Sequence, residues 1–385
     1  MQDLSISDKD RLLSSIRSLE DEVSGARAAF DKDRQISTPI FKILSEKRLF
    51  RLWLPKELGG LGLSPSDFLD VVEAASTLDG SVGWLVGNGG GMARAGGYLP
   101  KRSAEQIFSD PNAFIVAATG AVGRAVTVNG GYRVSGQWPF GSGAHHGTYF
   151  VVLCDVEERD PCDPARTMFV YVPASAVTTL DTWHVSGLRG TGSCDFAMAD
   201  VFVSSDFTHA FQAEPTVDGA IYRLPTRSVF PFTVATVPLG IAVAASRSFC
   251  QMAADHKRSG ASASLGSSEV IQSELGRLRA QVDAARCLLR HSMEVLCGEV
   301  SSQGTATEES RARFRGACTL AGETASNAVA KYCDMAGARA IFESCDLERC
   351  ERDVRAAVKH VAMSTAAYVT NGMFELGQDI SGRRF

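Results

Sequence analysis

The segment Gly136-Gln137-Trp138-Pro139-Phe140-Gly141-Ser142-Gly143-Ala144-His145-His146 combines glycines, aromatic side chains and a serine within a short stretch of chain. It follows the turn signal Asn129-Gly130-Gly131 and precedes the apolar run 149–153. Asn-Gly between two extended runs is a strong short-range signal for a β-hairpin. The segment therefore lies in a β domain, between a hairpin and a buried strand.

Further strand signals surround this segment. Apolar runs at 168–172 and 196–203 are rich in β-branched and aromatic residues, which favour strands. Turns separate the strand candidates at short intervals. We predict a central β domain at residues 113–225, built as a small barrel or sandwich.

The N-terminal part, residues 1–112, reads as helical. One helical face carries the apolar residues Leu12, Ile16, Leu19 and Val23. Ser7 is a suitable N-cap for this helix. Glycines crowd residues 80–97, although each costs a helix about 1 kcal/mol relative to alanine. Close packing is a reason for a helix to keep them. We predict an N-terminal helical domain.

The C-terminal part, residues 226–385, returns to long helices. Glycine- and serine-rich stretches at 259–268 and 298–304 divide it. The four predicted helices are 231–257, 269–297, 306–338 and 346–376. Four long helices joined by short connections indicate a bundle. The predicted fold class is mainly α with a central β domain.

Composition excludes several classes of protein. Hydrophobic residues make up 45% and charged residues 22% of the 385 residues, as in ordinary globular chains. The net charge of −5 and the scattered basic residues argue against nucleic-acid binding. The apolar run 230–245 is too short to span a bilayer, and the N-terminus does not resemble a signal peptide. Ten cysteines without a CxxC pair indicate reduced, mostly buried thiols. We expect a cytoplasmic protein with no membrane partner.

Several common catalytic motifs are missing from the sequence. It contains no phosphate-binding GxxxxGK[ST] loop, no GxGxxG in a βαβ setting, no HExxH and no GxSxG. The adjacent His145 and His146 are poorly spaced for one metal ion. We therefore expect neither a bound metal nor a nicotinamide site in this chain.

Five motifs in a fixed order carry a resemblance to a known family. They are Pro55–Gly60 (P-x-E-x-G-G), Asp79–Trp84 (D-x-S-x-x-W), 136–143 (G-x-W-x-F-x-S-G), Gly187–Ser193 (G-x-R-G-T-G-S) and Leu347–Asp353 (L-x-R-x-x-R-D). Together they resemble flavin-dependent monooxygenases of the acyl-CoA dehydrogenase-fold superfamily. Similar proteins are the oxygenase components of dibenzothiophene monooxygenase and para-hydroxyphenylacetate hydroxylase. The resemblance covers roughly residues 45–375.

The resemblance implies the oxygenase half of a two-component system. Such an enzyme takes reduced FMN or FAD from a separate NAD(P)H-dependent flavin reductase. It uses molecular oxygen, through a flavin hydroperoxide, to oxygenate a small aromatic or heteroatom-containing substrate. The parent fold is usually a homotetramer, so the resemblance also implies one here.

The resemblance also assigns candidate site residues. The residues expected to bind the flavin are Trp138, Phe140, Ser142, Gly143, Arg189, Thr191, Ser193 and Arg258. Ser142 supplies a hydroxyl to the flavin ring, and Trp138 forms a wall beside it. Met92 stands where many relatives carry a substrate-activating histidine. His146 and, less strongly, His145 are candidates to replace that histidine.

One position separates this reading from an acyl-CoA dehydrogenase-like FAD oxidoreductase. Many such dehydrogenases carry a catalytic glutamate about eight residues after the Arg-Asp pair, where this chain has Val361 beside His360. A histidine there resembles the oxygenase branch, and a pKa near neutrality suits proton transfer. His360 is therefore a candidate catalytic residue. A dehydrogenase with its base elsewhere stays the alternative, followed by a non-catalytic assembly protein on the same fold.

Overall fold

The computed structural model describes residues 7–163, 165–257 and 262–381. They form two compact units. The first draws on Met1–Phe68, Leu85–His184 and Arg189–Thr226, and the second on Leu69–Trp84, Val185–Leu188 and Arg227–Phe385. The division into three domains at 1–112, 113–225 and 226–385 stays a prediction. The two compact units have other boundaries.

In the described residues, six α-helices precede the strands. They are α1 (Asp8–Arg17), α2 (Glu20–Asp33), α3 (Thr38–Glu46), α4 (Pro65–Leu78), α5 (Gly80–Met92) and α6 (Lys101–Phe108). Ser7 caps α1 as predicted, because its side chain accepts from the Asp10 N–H. The four residues of the predicted apolar face, Leu12, Ile16, Leu19 and Val23, are all buried. They do not belong to a single helix, because Leu12 and Ile16 lie in α1 and Val23 lies in α2.

The glycine-rich stretch at 80–97 is helical. Its glycines lie too close to neighbouring residues to be replaced by larger side chains. A Cβ at Gly89 would lie 2.4 Å from the Phe114 ring, and one at Gly90 2.8 Å from Leu52. Larger side chains would overlap these neighbours. Close approach therefore explains why α5 tolerates residues of poor helix propensity.

Seven strands of the first unit form one sheet. They are β1 (Ile115–Val128), β2 (Gly131–Gly141), β3 (Tyr149–Val156), β4 (Thr167–Pro173), β5 (Thr178–Leu180), β6 (Cys194–Ser204) and β7 (Thr208–Ala210). Their order is β5-β6-β2-β1-β3-β4-β7, with β1 and β3 parallel and the other pairs antiparallel. The Asn129-Gly130 hairpin is present as predicted, with Gly130 at φ +79°.

Seven α-helices follow the strands in the part of the chain that the structure describes. They are α7 (Ala220–Arg223), α8 (Thr226–Ala235), α9 (Val237–Asp255), α10 (Glu269–Gln303), α11 (Glu308–Ala336), α12 (Asp346–Ala357) and α13 (Ala366–Glu375). In the second unit α11 contacts α9, α10, α12 and α13 and so forms the centre of the bundle.

Two predicted helix bounds are wrong. Helix α10 continues through Gly298 to Gln303, because one exposed glycine costs too little to end a long helix. It ends at Gly304, which adopts φ +81°. The predicted helix 346–376 is broken, since a 3₁₀ turn at Val361–Met363 separates α12 from α13.

Two further expectations need correction. The apolar run 230–245, expected to be too short to span a bilayer, belongs to the longer helical stretch Arg227–Asp255. By length and composition that stretch could cross a membrane. However, 83% of its most apolar window is buried inside the protein, as in a core helix of a bundle. The cysteines are free but not mostly buried, because only four of the ten are in the core.

The short segment Val185–Leu188 allows a direct test of close packing in the second unit. A Cβ at Gly187 would lie 2.0 Å from the Arg352 carbonyl oxygen. Because a backbone atom cannot yield, Gly187→Ala is expected to lower the free energy of unfolding by about 1–3 kcal/mol or more. Denaturant unfolding measures this loss.

Gly298→Ala is the matched control for that substitution. Gly298 is exposed in the middle of α10, and nothing lies within 4 Å of its would-be Cβ. Alanine there is expected to stabilise the helix by up to about 1 kcal/mol. A Gly187→Ala protein as stable as wild type would contradict the described position of this loop.

Candidate functional site

Three hydroxyl groups form a connected chain in the first unit. Ser142 Oγ lies 2.8 Å from Ser193 Oγ, and Thr191 Oγ1 lies 2.7 Å from the same atom. Thr191 and Ser193 are buried, whereas Ser142 is half-buried. Each hydroxyl offers one donor and two acceptor positions. Ser142 thus forms the more accessible end of a polar chain whose other members are fixed in the protein.

Strand register brings these hydroxyls together. Gly141 at the end of β2 pairs with Cys194 at the start of β6, so their neighbours Ser142 and Ser193 meet just beyond the ladder. The Gly143 N–H donates to the Thr191 carbonyl at 2.7 Å. Gly143 adopts φ +76°, and a Cβ there would lie 2.6 Å from the Phe114 ring. Both the conformation and the space require glycine.

An exposed aromatic side chain flanks the hydroxyl chain. Phe140 is 65% exposed and adopts φ +63°, which is unusual for a bulky residue. Its ring lies edge-on to Trp183 at 6.4 Å. Trp183 is held by its Nε1–H, which donates to the Arg189 carbonyl at 3.2 Å. Hydroxyls and apolar rings therefore share this end of the sheet.

Trp138 occupies a different position from the one expected of a wall beside the flavin. Its side chain is fully buried, and its Nε1–H donates to the Leu153 carbonyl at 3.3 Å. The ring fills space left by Gly123 and Gly136, whose Cβ atoms would overlap it. This geometry favours a structural role for Trp138 in the core of the β domain.

The loop Arg189–Thr191 is a 3₁₀ turn anchored on both sides. The Ile36 N–H donates to the Gly190 carbonyl at 2.7 Å, and the Arg189 carbonyl accepts from Trp183. The contribution of Ile36 was missed by the sequence analysis, because a backbone donor far away in sequence leaves no motif. Arg258, the remaining predicted flavin ligand, lies outside the described residues.

His146 is fixed beside α3. Its Nε2 lies 2.9 Å from the Ile36 carbonyl, which can only accept, so Nε2 carries the proton. The ring stacks on Phe41 at 4.4 Å. Burial lowers the pKa of His146 below its ordinary value. A neutral His146 keeps a lone pair on Nδ1, which is able to accept a proton or a hydrogen bond.

The other candidates for the substrate side lie in the same unit. His145 is exposed, and its Nε2 is 3.5 Å from Cys194 Sγ. Met92 is the buried last residue of α5. An unreactive thioether cannot perform the acid–base step of a histidine. Of these three residues, His146 has the best-defined side-chain position, fixed by one hydrogen bond and one stacking contact.

His360 lies in the second unit, at the break between α12 and α13. Its Nδ1 accepts from the Ala362 N–H at 3.2 Å and caps the 3₁₀ turn. Its ring lies edge-to-face with Trp84 at 5.5 Å. Because Nδ1 accepts, the proton of the neutral ring is on Nε2, which is then a hydrogen-bond donor.

The expected near-neutral pKa of His360 is wrong. Burial lowers the pKa of His360 to about 4, and the positive charge of Arg315 acts in the same direction. The ring is therefore neutral at physiological pH. It can donate a hydrogen bond from Nε2 but does not store a proton for transfer.

A buried ion-pair network joins three of the sequence motifs in the second unit. Arg349 pairs with Asp79 at 2.8 Å, and its Nε lies 3.9 Å from Asp353. Asp79 also accepts from the N–H groups that begin α5. Asp353 accepts from the Leu188 N–H at 2.7 Å. This arrangement favours a structural role for Arg349 and Asp353.

The first-unit residues fit a flat heteroaromatic cofactor such as a flavin. The ring edge of a flavin carries carbonyl oxygens and nitrogens, which pair with hydroxyl donors and acceptors. Ser142 supplies such a group, and Phe140 offers an apolar face beside it. Ser142, Phe140 and Gly143 are thus suited to hold the ring, supported from behind by Thr191 and Ser193.

This chain is similar to several known proteins in sequence and in fold. Residues 232–365 match the model of the family "Acyl-CoA dehydrogenase, C-terminal domain". Indole-3-acetate monooxygenase of Pseudomonas putida is 26% identical over 349 residues, covering 91% of this chain and 89% of that protein. The flavin-dependent monooxygenase oxygenase subunit HsaA of Mycobacterium tuberculosis is 25% identical over 388 residues, covering 96% of each.

A solved structure shows the same fold. XiaF from Streptomyces sp., determined in complex with FADH2 and glycerol, superposes with a TM-score of 0.90. The sequence identity is 23%, and the match covers 98% of each chain. The molecule thus has the acyl-CoA dehydrogenase fold, as predicted.

The class of enzyme follows from the curated relatives. The chain is a flavin-dependent monooxygenase of the type that forms the oxygenase component of a two-component system. The resemblance found in the sequence motifs is therefore confirmed.

Proposed function

We propose that this oxygenase takes reduced FMN or FAD from a separate NAD(P)H-dependent reductase. With molecular oxygen it then oxygenates a small aromatic or heteroatom-containing substrate. Support comes from the relatives, one named for indole-3-acetate and one as an oxygenase subunit, and from the FADH2 complex of XiaF. We further propose a cytoplasmic homotetramer.

The observation that carries this proposal is the hydroxyl chain of Ser142, Ser193 and Thr191 beside the exposed Phe140. A reduced flavin, when bound, supplies two electrons to dioxygen, so that one oxygen atom enters the substrate and the other leaves as water. The chain's task is to bind the ring, orient the substrate and exclude water.

Each candidate residue has a distinct proposed role. Ser142 hydrogen-bonds the flavin ring, and Thr191 and Ser193 hold its hydroxyl in place. Phe140, Gly143 and Arg189 shape the same binding surface. Arg258 is assigned to the phosphate end of the cofactor.

The substrate side rests on three further residues. Met92 lines the position of the substrate, and His146 accepts a hydrogen bond or proton through Nδ1. His360 donates a hydrogen bond from Nε2 to the reacting groups.

Ser142→Ala is expected to weaken binding of reduced flavin by roughly 5- to 10-fold, because one hydrogen bond contributes about 1 kcal/mol. Anaerobic fluorescence or calorimetric titration measures the affinity. Ser135→Ala is the matched control on β2, where Ser135 Oγ accepts from the Asp200 N–H at 2.9 Å. Equal affinities of the two variants would contradict the role of Ser142.

Turnover with isotopically labelled dioxygen tests the function as a whole. The protein is combined with a flavin reductase, NADH, flavin and a panel of phenols, indoles, amines and sulfides. One labelled oxygen atom in a product is the expected result. An acyl-CoA that bleaches tightly bound oxidised flavin under anaerobic conditions would instead support the dehydrogenase alternative.

A further inference from the structure

The turn that carries His360 is held by one face of α11. Arg315 Nη2 donates to the Val361 carbonyl at 3.0 Å, and Thr319 Oγ1 donates to the Ser364 carbonyl at 3.0 Å. A Cβ at Gly322 would lie 2.8 Å from Met363 Sδ. Positions 315, 319 and 322 recur at helical spacing and so share one face. The carbonyls of the first residue of the 3₁₀ turn and of the residue that follows the turn are therefore fixed by the same helix.

Arg315 carries a positive charge close to the imidazole ring of His360. From α5, Trp84 presents its ring edge-to-face to His360, and within the turn the Ala362 N–H points at Nδ1. Lys359, next along the chain, is exposed. Arg315 Nε is buried, and it has no hydrogen-bond partner among the described residues. The cation is thus held near the ring mainly through the Val361 carbonyl.

We propose that Arg315 is a positioning residue for His360: by holding the Val361 carbonyl it fixes the turn in which Nδ1 accepts from the Ala362 N–H, so that Nε2–H stays a donor, and its positive charge adds to the effect of burial on the ring. Protonation would place a hydrogen on Nδ1 and break the cap to the Ala362 N–H, which loosens the turn. The role of this donor in turnover rests on the proposed function. The protonation state of the His360 ring is independent of the proposed function.

Two substitutions test the charge of Arg315. Arg315→Gln removes the positive charge, and its N–H donor sits on a side chain two bonds shorter than that of arginine. Arg315→Lys keeps the charge on a different geometry. Arg313→Gln removes a charge from the exposed side of the same helix, where Arg313 pairs with Glu309. It is the matched control.

The test is an NMR titration of isotope-labelled histidine in each folded variant, with the His360 signal assigned from His360→Asn. We expect Arg315→Gln to raise the pKa of His360 toward its ordinary value, while Arg315→Lys and Arg313→Gln leave it low. An unchanged His360 titration in folded Arg315→Gln overturns the proposal. If Arg315→Gln does not fold, a raised His360 pKa in Arg315→Lys overturns it.

Turnover supplies a second readout. Arg315→Gln is expected to shift the acid limb of the pH–rate profile to higher pH, and to lower kcat by at most about 4-fold near pH 6 with little change in KM, because the pKa of His360 moves only toward its ordinary value of about 6.5. Arg315→Lys is expected to restore the wild-type profile. If the His360 titration shifts as expected and no variant, wild type included, forms product, the proposed function fails while the positioning role stands.

Discussion

Arg349→Met is expected to lower the free energy of unfolding by about 3–5 kcal/mol, the usual cost of removing one partner from a buried ion pair. The substitution leaves the Asp79 carboxylate, with a side chain 0% exposed, without its guanidinium. Asp353 would stay close to that uncompensated charge. Denaturant unfolding of the variant and the wild type measures the loss.

The loss should depend on pH in a defined direction. Burial, together with the charge of Asp79, raises the pKa of Asp353 to about 7, against the opposing effect of Arg349. A raised folded-state pKa favours the folded state below the unfolded value and loses that effect as pH rises through the folded value. Without Arg349 the pKa of Asp353 rises further. The destabilisation is therefore expected to be larger at about pH 8 than at about pH 5.

Arg355→Met is the matched control on the same helix. Arg355 pairs with Glu351 on an exposed surface, and such pairs contribute less than about 1 kcal/mol. If Arg349→Met lowers the free energy of unfolding no more than Arg355→Met does, the ion-pair network of Asp79, Arg349 and Asp353 does not hold the three sequence motifs together. A loss that is independent of pH would contradict the assigned charge state of Asp353.

His360→Asn is expected to reduce product formation about 100-fold, the usual order of effect of removing one hydrogen-bond donor from an active site. Asparagine is a good N-cap, and its side-chain oxygen can replace Nδ1 as acceptor for the Ala362 N–H. The turn and the free energy of unfolding should therefore change little. The variant removes the Nε2–H donor without removing the cap.

Rates of product formation and of hydrogen peroxide release, measured side by side, test this expectation. Peroxide should replace product in His360→Asn, because oxygen is still reduced but is no longer transferred. His360→Ala loses both the donor and the cap, so it should also lower stability by about 1 kcal/mol. Wild-type rates of product formation in His360→Asn would exclude the proposed role.

The sequence predicted those features of the fold that local chemistry decides. The Asn129-Gly130 hairpin, the cap at Ser7 and the apolar strand after residue 148 were all found from short-range signals. The break at Val361–Met363 was missed because its cause lies partly in α11, where Arg315 and Thr319 hold the carbonyls of the turn. Such partners are far apart in sequence and leave no periodicity.

The site was predictable as a set of motifs but not as contacts. Within the motif at 187–193, Arg189, Thr191 and Ser193 were expected to bind the flavin, and the contact of Leu188 with Asp353 in the second unit was not foreseen. Trp138 was expected at the ring, but the small residues Gly123 and Gly136 give it a place in the core. The lowered pKa of His360 depends on burial, which a single sequence does not reveal.

The most direct test is to mix the protein anaerobically with reduced flavin and then with oxygen in a stopped-flow spectrometer. The protein should delay the return of oxidised-flavin absorbance and suppress peroxide release relative to free flavin, and Ser142→Ala should shorten the delay. Reoxidation at the rate of free flavin, with the full yield of peroxide, would contradict the assignment of the hydroxyl chain as the flavin site of an oxygenase.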